Sequence, residues 1–417
     1  MSLATRDDRN DDVDALPLDG IDVSDPKIYA EDSWRPMFAR LRREDPVNYC
    51  ADSRYGPYWS ITRYADIMDV ELNHAVFSSA GEHGGIQVMD APKGLENISF
   101  IRMDQPDHTV RRKTVAPIVG PSNLANMETT IRERTVTVLD GLPRGEAFDW
   151  VDRVSIELTT MMLATLFDFP WEDRRKLTYW SDVGIANVND PDAPVHSEEE
   201  RYAELGKMGQ YFSGLWNERV NAPPKFDLIS MMAHGETTRN MTPKEFVGTL
   251  GLLIVGGNDT TRNTMSGGLL ALHDNPDQWA KLRANPGLVP SLVAETIRYH
   301  TPVIHMRRTA KEDAIVGGKR IRKGDKVVMW YVSGNRDETA IERPDEFIVD
   351  RAKPRQHLSY GAGIHRCVGD RLADMQLRIL WEEILKRDLR IEVLGPPVRL
   401  YSNFIRGIRS MQVRIAP

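Results

Sequence analysis

Apolar residues return every third or fourth position through most of the stretch between His108 and Pro302, the mark of helices that bury one face. The longest such run opens at Thr242-Pro243-Lys244-Glu245, a capping box with proline at the first helical position. It continues to about Leu272 and is stopped by Asn275-Pro276, which makes a helix of roughly 45 Å at about 1.5 Å per residue. A second clear run, Val368 to Asp388, places Leu372, Met375, Ile379, Leu380 and Ile384 on one face. Trp34 to Arg43 reads as a shorter helix. Val47–Cys50 and Pro57–Thr62 read as paired strands around the polar turn Asp52–Gly56, and Lys326–Val332 and Arg390–Val393 as further strands. Residues 78–103 follow neither period; long irregular stretches inside compact domains are usually functional. The pattern predicts a mainly α protein with small β-sheets. No Gly/Ser/Pro-rich linker divides it and no segment repeats, so a single domain over 33–417 is expected after a loosely ordered tail, 1–32.

Composition changes this picture little. The chain has 417 residues, 41% of them hydrophobic, enough for a large core. Its 54 basic and 61 acidic residues give a net charge of −7, which argues against nucleic acid as the main partner. Met1–Asp14 is polar and acidic, unlike an export signal, and the longest apolar run, Leu250–Val255, is far too short to span a bilayer. With two cysteines, neither a disulfide framework nor a multi-cysteine metal site is in view. A cytoplasmic monomer without a membrane anchor is expected.

Cys367 changes the picture most. It stands in Tyr360-Gly361-Ala362-Gly363-Ile364-His365-Arg366-Cys367-Val368-Gly369, just before a helical run. The glycines allow tight turns and close approach to something flat. A helix N-terminus favours a thiolate, a soft and strongly donating ligand suited to haem iron. By itself such a cysteine could equally be a small buried hydrophobe. The ten residues together resemble the haem-binding loop of the cytochromes P-450, the haem-thiolate monooxygenases, and the resemblance extends over nearly the whole chain. It implies that fold, with haem b (iron protoporphyrin IX) between the long central helix and the helix after the cysteine loop. It makes Cys367 the iron ligand and sets Tyr360, Gly361 and Gly369 beside the porphyrin. The family usually has Phe where this chain has Tyr360, so the extra hydroxyl is expected to alter packing or hydrogen bonding beside the sulfur.

The middle of the long helix reads Gly256-Gly257-Asn258-Asp259-Thr260-Thr261. Two adjacent glycines cost a helix about 1 kcal/mol each against alanine. A ligand against the backbone, a local break admitting water, or close helix packing would each explain them. The segment resembles the family's oxygen-activation element. That resemblance makes Asp259 and Thr260 an acid–alcohol pair delivering protons and puts Gly256 against the haem.

Further matches follow from the same resemblance. His108 and Arg112, in Asp104-Gln105-Pro106-Asp107-His108-Thr109-Val110-Arg111-Arg112, together with Arg308 and His365, correspond to haem-propionate ligands. Glu295 and Arg298, joined by Arg351, correspond to a buried ion group that locks the core beneath the cysteine loop. Residues 78–103 and 183–205 are expected to shape the substrate pocket. Leu252, Val255, Ile98, Phe100, Ile101, Val303, Ile304 and Phe404 would line it, an apolar set calling for an apolar substrate.

Several stretches, among them Gly256–Met265, His305–Ala310, Val327–Asp337 and Asp350–Arg355, look like the bacterial terminal-alkane hydroxylase branch. This implies omega-hydroxylation of a medium-chain alkane or fatty acid with O2. Electrons would come from a 2Fe-2S ferredoxin and its NAD(P)H-dependent reductase, docking by charge near Arg111, Arg112, Lys113, Arg366 and Arg371. The alternatives are a hydroxylase of bulkier substrates such as steroids or macrolides, a peroxide-driven enzyme, and a haem sensor or carrier without turnover. The Asp259-Thr260 pair speaks against the last two.

Overall fold

The computed structural model describes residues 13–90 and 98–417. Helices dominate it, as the apolar periodicity predicts. The central helix runs Pro243–Asp274, and its capping box forms: Thr242 Oγ1 accepts from the Glu245 N–H, and Glu245 Oε2 accepts from the Thr242 N–H at 2.8 Å. It packs against the helices Glu157–Phe167, Arg175–Ile185, Glu198–Val220 and Val289–His300. The helix Asp370–Lys386 lies against Pro121–Asp140 and Val289–His300. Among the described residues no helix is long and apolar enough to cross a membrane.

Val47–Cys50 and Tyr58–Ile61 pair antiparallel, with Val47 opposite Ile61 and Cys50 opposite Tyr58. They open a five-stranded sheet continued by Lys326–Trp330, His305–Ala310 and Phe77–Ser78. One pairing, Tyr58–Ile61 with Lys326–Trp330, is parallel. Lys326–Trp330 is buried along its length, so it shows no alternation. The strand expected over Lys326–Val332 stops at Trp330, and Tyr331–Gly334 makes a helical turn. Both pieces are buried and apolar, and a short apolar run does not distinguish strand from helix.

The leading segment is not loose from residue 13 onward; residues 1–12 lie outside the described residues. Asp25 caps a short helix, Pro26–Ala30. Ile21, Val23 and Tyr29 are buried in one cluster with Trp34, Phe38 and Trp330. Asp32 accepts from Arg35, Arg399 and Arg406, and Asn403 Nδ2 donates to the Ser24 carbonyl at 2.7 Å. The first turns are thereby fastened to a segment near the C-terminus. Their apolar residues are too few and too scattered to show a period.

Candidate active site

The cysteine loop is shaped by two left-handed glycines. Gly361 and Gly363 have φ of +66° and +61°, and a Cβ on Gly363 would fall 2.8 Å from the Glu71 carbonyl oxygen. The Cys367 N–H donates to the Tyr360 carbonyl at 2.8 Å. The following helix begins at Asp370, so Cys367 precedes it by three residues instead of sitting in its first turn. Burial pushes the thiol above its ordinary range; the Gly369 N–H opposes this, Asp370 adds to it, and Arg112 and Arg366 pull back. The expected preference for thiolate is therefore not supplied by the helix. A cation bound at the sulfur would supply it. The Tyr360 hydroxyl bonds away from the sulfur, to Asp374 Oδ1 at 2.7 Å and the Asp370 carbonyl at 3.2 Å. It ties the loop to the helix, a correction to the effect expected beside the sulfur.

Cys367 opens onto a cavity of about 660 Å³ bounded by the central helix, the cysteine loop, Ile86–Gln87, Ser99–Arg102 and the ends of the Arg175–Ile185 and Glu198–Val220 helices. The two adjacent glycines of the central helix have separate reasons. Gly257 packs on a neighbouring helix: a Cβ there would fall 2.7 Å from Leu163 Cδ2. A Cβ on Gly256 would meet nothing within 4 Å, and Gly256 lines the cavity, as does the equally open Gly369. Thr260 also lines it, its Oγ1 donating to the Gly256 carbonyl at 3.1 Å.

Asp259 does not reach this wall. It is fully buried against the Arg175–Ile185 helix, accepting from Ser181 Oγ at 2.5 Å and paired with Arg262. Arg262 also bonds the half-exposed Asp182 at 2.5 Å. Burial raises the Asp259 carboxyl to about 6; Arg262 pulls it down and Asp182 pushes it up. Arg262, three residues after Asp259, was within reach of a helical-spacing argument; Ser181 and Asp182, on another helix, were not.

His108, Arg112, Arg308 and His365 converge on the cavity. His108 is buried with neither ring nitrogen partnered, and burial, reinforced by Arg112, lowers it to about 4. Its ring packs edge-on to His365, centroids 4.4 Å apart. His365 Nε2 lies 3.0 Å from Ser79 Oγ, while its Nδ1 is unpartnered. Arg112 donates to the Arg366 carbonyl at 2.6 Å. Arg308 is already ion-paired with Glu71 at 2.9 Å, and Glu71 also accepts from the Tyr331 hydroxyl. Glu71 and Tyr331 gave no sequence signal, since each lies in an ordinary-looking element. The unpartnered imidazole of His108, the free Nδ1 of His365 and two guanidiniums around a large apolar cavity, with a thiol at its wall and open space over two glycines, fit a haem with two carboxylates.

Glu295, Arg298 and Arg351 come together as expected. Arg298 and Arg351 each donate twice to the Glu295 carboxylate, which also accepts from the Ile348 N–H. Burial would raise this carboxyl, yet those bonds hold it below its ordinary range.

Leu252, Val255, Phe100, Ile101, Val303 and Phe404 line the cavity. Ile98 and Ile304 do not. Ile304, one residue before the strand His305–Ala310, is fully buried in the cluster of Trp330 and Phe38, while Val303 lines the cavity. Phe404 is held by its backbone: its carbonyl accepts from Ile304 N–H at 2.9 Å, and the preceding Asn403 is clamped between Ser24 and His305.

A family model described as cytochrome P-450 matches residues 217–393. Linalool 8-monooxygenase of Pseudomonas putida is 37% identical over 95% of this chain and 99% of its own length. Steroid C26-monooxygenase of Rhodococcus jostii is 32% identical over 95% of this chain and 84% of its own. The structure of cytochrome P-450-153 from Novosphingobium aromaticivorans superposes with a TM-score of 0.89 at 50% identity, covering 94% of this chain and 99% of that one. The fold, the cavity with its lone thiol and these likenesses together place the chain in the cytochrome P-450 family, as a monooxygenase whose cofactor is haem b.

Proposed function

We propose that the protein hydroxylates the terminal methyl of a medium-chain alkane or fatty acid, with Cys367 ligating the iron. Haem, when bound, supplies the reductive activation of O2. His108, Arg112, Arg308 and His365 hold its propionates, and Glu71 orients Arg308. Thr260 Oγ1, on the cavity wall, holds a water and passes its proton inward. Asp259, its carboxyl raised to about 6, is poised to exchange a proton near neutrality, with Arg262 and the half-exposed Asp182 connecting it to solvent.

The observation that carries the reading is the cavity wall, where Leu252, Val255, Phe100 and Val303 leave mostly apolar surface. The terminal C–H is the strongest in an alkyl chain, so only geometry can select it, by admitting the chain end-on. Regiochemistry tests this. With a surrogate ferredoxin and reductase, octane or dodecanoate should give mainly the primary alcohol; a majority of subterminal alcohols overturns it. Of the basic residues proposed to dock the ferredoxin, Arg111 is paired with Glu245 and Arg366 with Asp370. Lys113 and Arg371 are exposed and carry that role.

A further inference from the structure

One cation in the cavity wall has no task in the reading above. Arg102 closes the short turn Phe100–Arg102 and lines the cavity next to Phe100 and Ile101. Its guanidinium packs on Gly85, where a Cβ would fall 2.5 Å from Nη1. Neighbouring arginines each have a carboxylate: Arg307 has Asp90, Arg308 has Glu71 and Arg111 has Glu245. Among the described residues Arg102 has none. Burial pulls its guanidinium below the ordinary arginine range; Tyr202 opposes that and Arg307, a like charge, adds to it. An enclosed guanidinium without a counter-charge is costly, and a ligand that brings an anion relieves the cost. The planar fork matches a carboxylate in bidentate fashion.

We propose that Arg102 anchors the carboxylate of the substrate, so that the substrate class is a medium-chain carboxylic acid held by its head group. The inference rests on the terminal-hydroxylase reading and selects between its two substrate classes. A carboxylate could also come from the haem, but the propionates have His108, Arg112, Arg308 and His365. The turn carrying Arg102 lies close to Tyr202 of the Glu198–Val220 helix, which covers the cavity. An acid gripped there by its head offers its methyl end to the wall formed by Gly256 and Thr260.

The experiment is an equilibrium titration of the holoenzyme, reading the low-to-high-spin change of the haem absorption with dodecanoate, methyl dodecanoate and dodecane. The acid should bind about tenfold or more tighter than its ester, the scale of a charge-assisted bond. Arg102→Gln should abolish that preference and Arg102→Lys retain part of it. Equal affinity for acid and ester in the unsubstituted enzyme overturns the anchor, and so does a preference that survives Arg102→Gln. Loss of haem from Arg102→Gln with the acid preference intact assigns Arg102 to a propionate and also overturns it. The acid–ester comparison stands even where the variants fold poorly. If none of the three ligands shifts the spin state, the terminal-hydroxylase reading itself fails and takes the anchor with it.

Discussion

Two buried carboxylates, thirty-six positions apart, show how the same chemistry is made inert in one place and responsive in another. Glu295 is surrounded by donors: two arginines in forked geometry and a backbone N–H. Those donors outweigh burial and hold its carboxyl below the ordinary range. Asp259 has one hydroxyl and one arginine, and it shares that arginine with Asp182. Desolvation then wins, and the carboxyl rises to about 6. What separates the two carboxyls is the number of donors, since both groups are fully buried.

The largest effect that would break this contrast is expected at the brace. Glu295→Gln leaves two buried guanidiniums short of a counter-charge and should cost about 3–5 kcal/mol in denaturant unfolding. A loss under 1 kcal/mol would mean that Glu295 is no brace. Asp259→Asn should leave the fold standing but slow product formation about 100-fold, measured as steady-state turnover at saturating reductant. Thr260→Ala should keep consuming reductant and O2 while diverting most of the reducing equivalents to hydrogen peroxide. Product still tightly coupled to NADH in that variant would remove Thr260 from the relay.

The smallest effect sharpens the comparison through pH. The folded-state value of Asp259 lies above the unfolded one, so the native state binds the extra proton. Its contribution to stability is present below about pH 4 and is lost as pH rises toward 6. Asp259→Asn should flatten that component of the stability–pH curve. His305 works in the opposite sense: burial lowers it to about 4, so stability falls as pH drops from about 6.5 toward 4, by about 3 kcal/mol at most. The two slopes oppose each other between pH 4 and 6, and His305→Gln in the same series separates them.

Much of the frame was legible because it is local. The capping box at Thr242 and the apolar period of the central helix needed nothing beyond neighbouring residues, and the cysteine loop carried its own glycines. What escaped depends on distant partners. Asp259 was placed with Thr260 by the family resemblance, yet consecutive helical positions point about 100° apart, and the acid packs against the Arg175–Ile185 helix while the alcohol lines the cavity. Ile304 was grouped with Val303, yet only Val303 lines the cavity and Ile304 packs into the core. Glu71 sits 237 residues from Arg308 and had no pattern to announce it. Arg102 lies in the irregular stretch 78–103; only the lack of a carboxylate partner among the described residues sets it apart. Of the three explanations left open for the paired glycines, close packing accounts for Gly257, while Gly256 borders the cavity with open space over it.

The clamp on Asn403 has a consequence for how selectivity is inherited in this enzyme. Phe404 lines the cavity, but its neighbour is pinned by the carbonyl of Ser24, and the Arg399 and Arg406 flanks are pinned by Asp32. A chain shortened to begin at Ser33 would keep Cys367, Thr260 and the four residues proposed to hold the propionates. It would nonetheless strip buried Arg406 of Asp32 and Asn403 of one of its two anchors, so lower stability and a blurred product ratio are expected together.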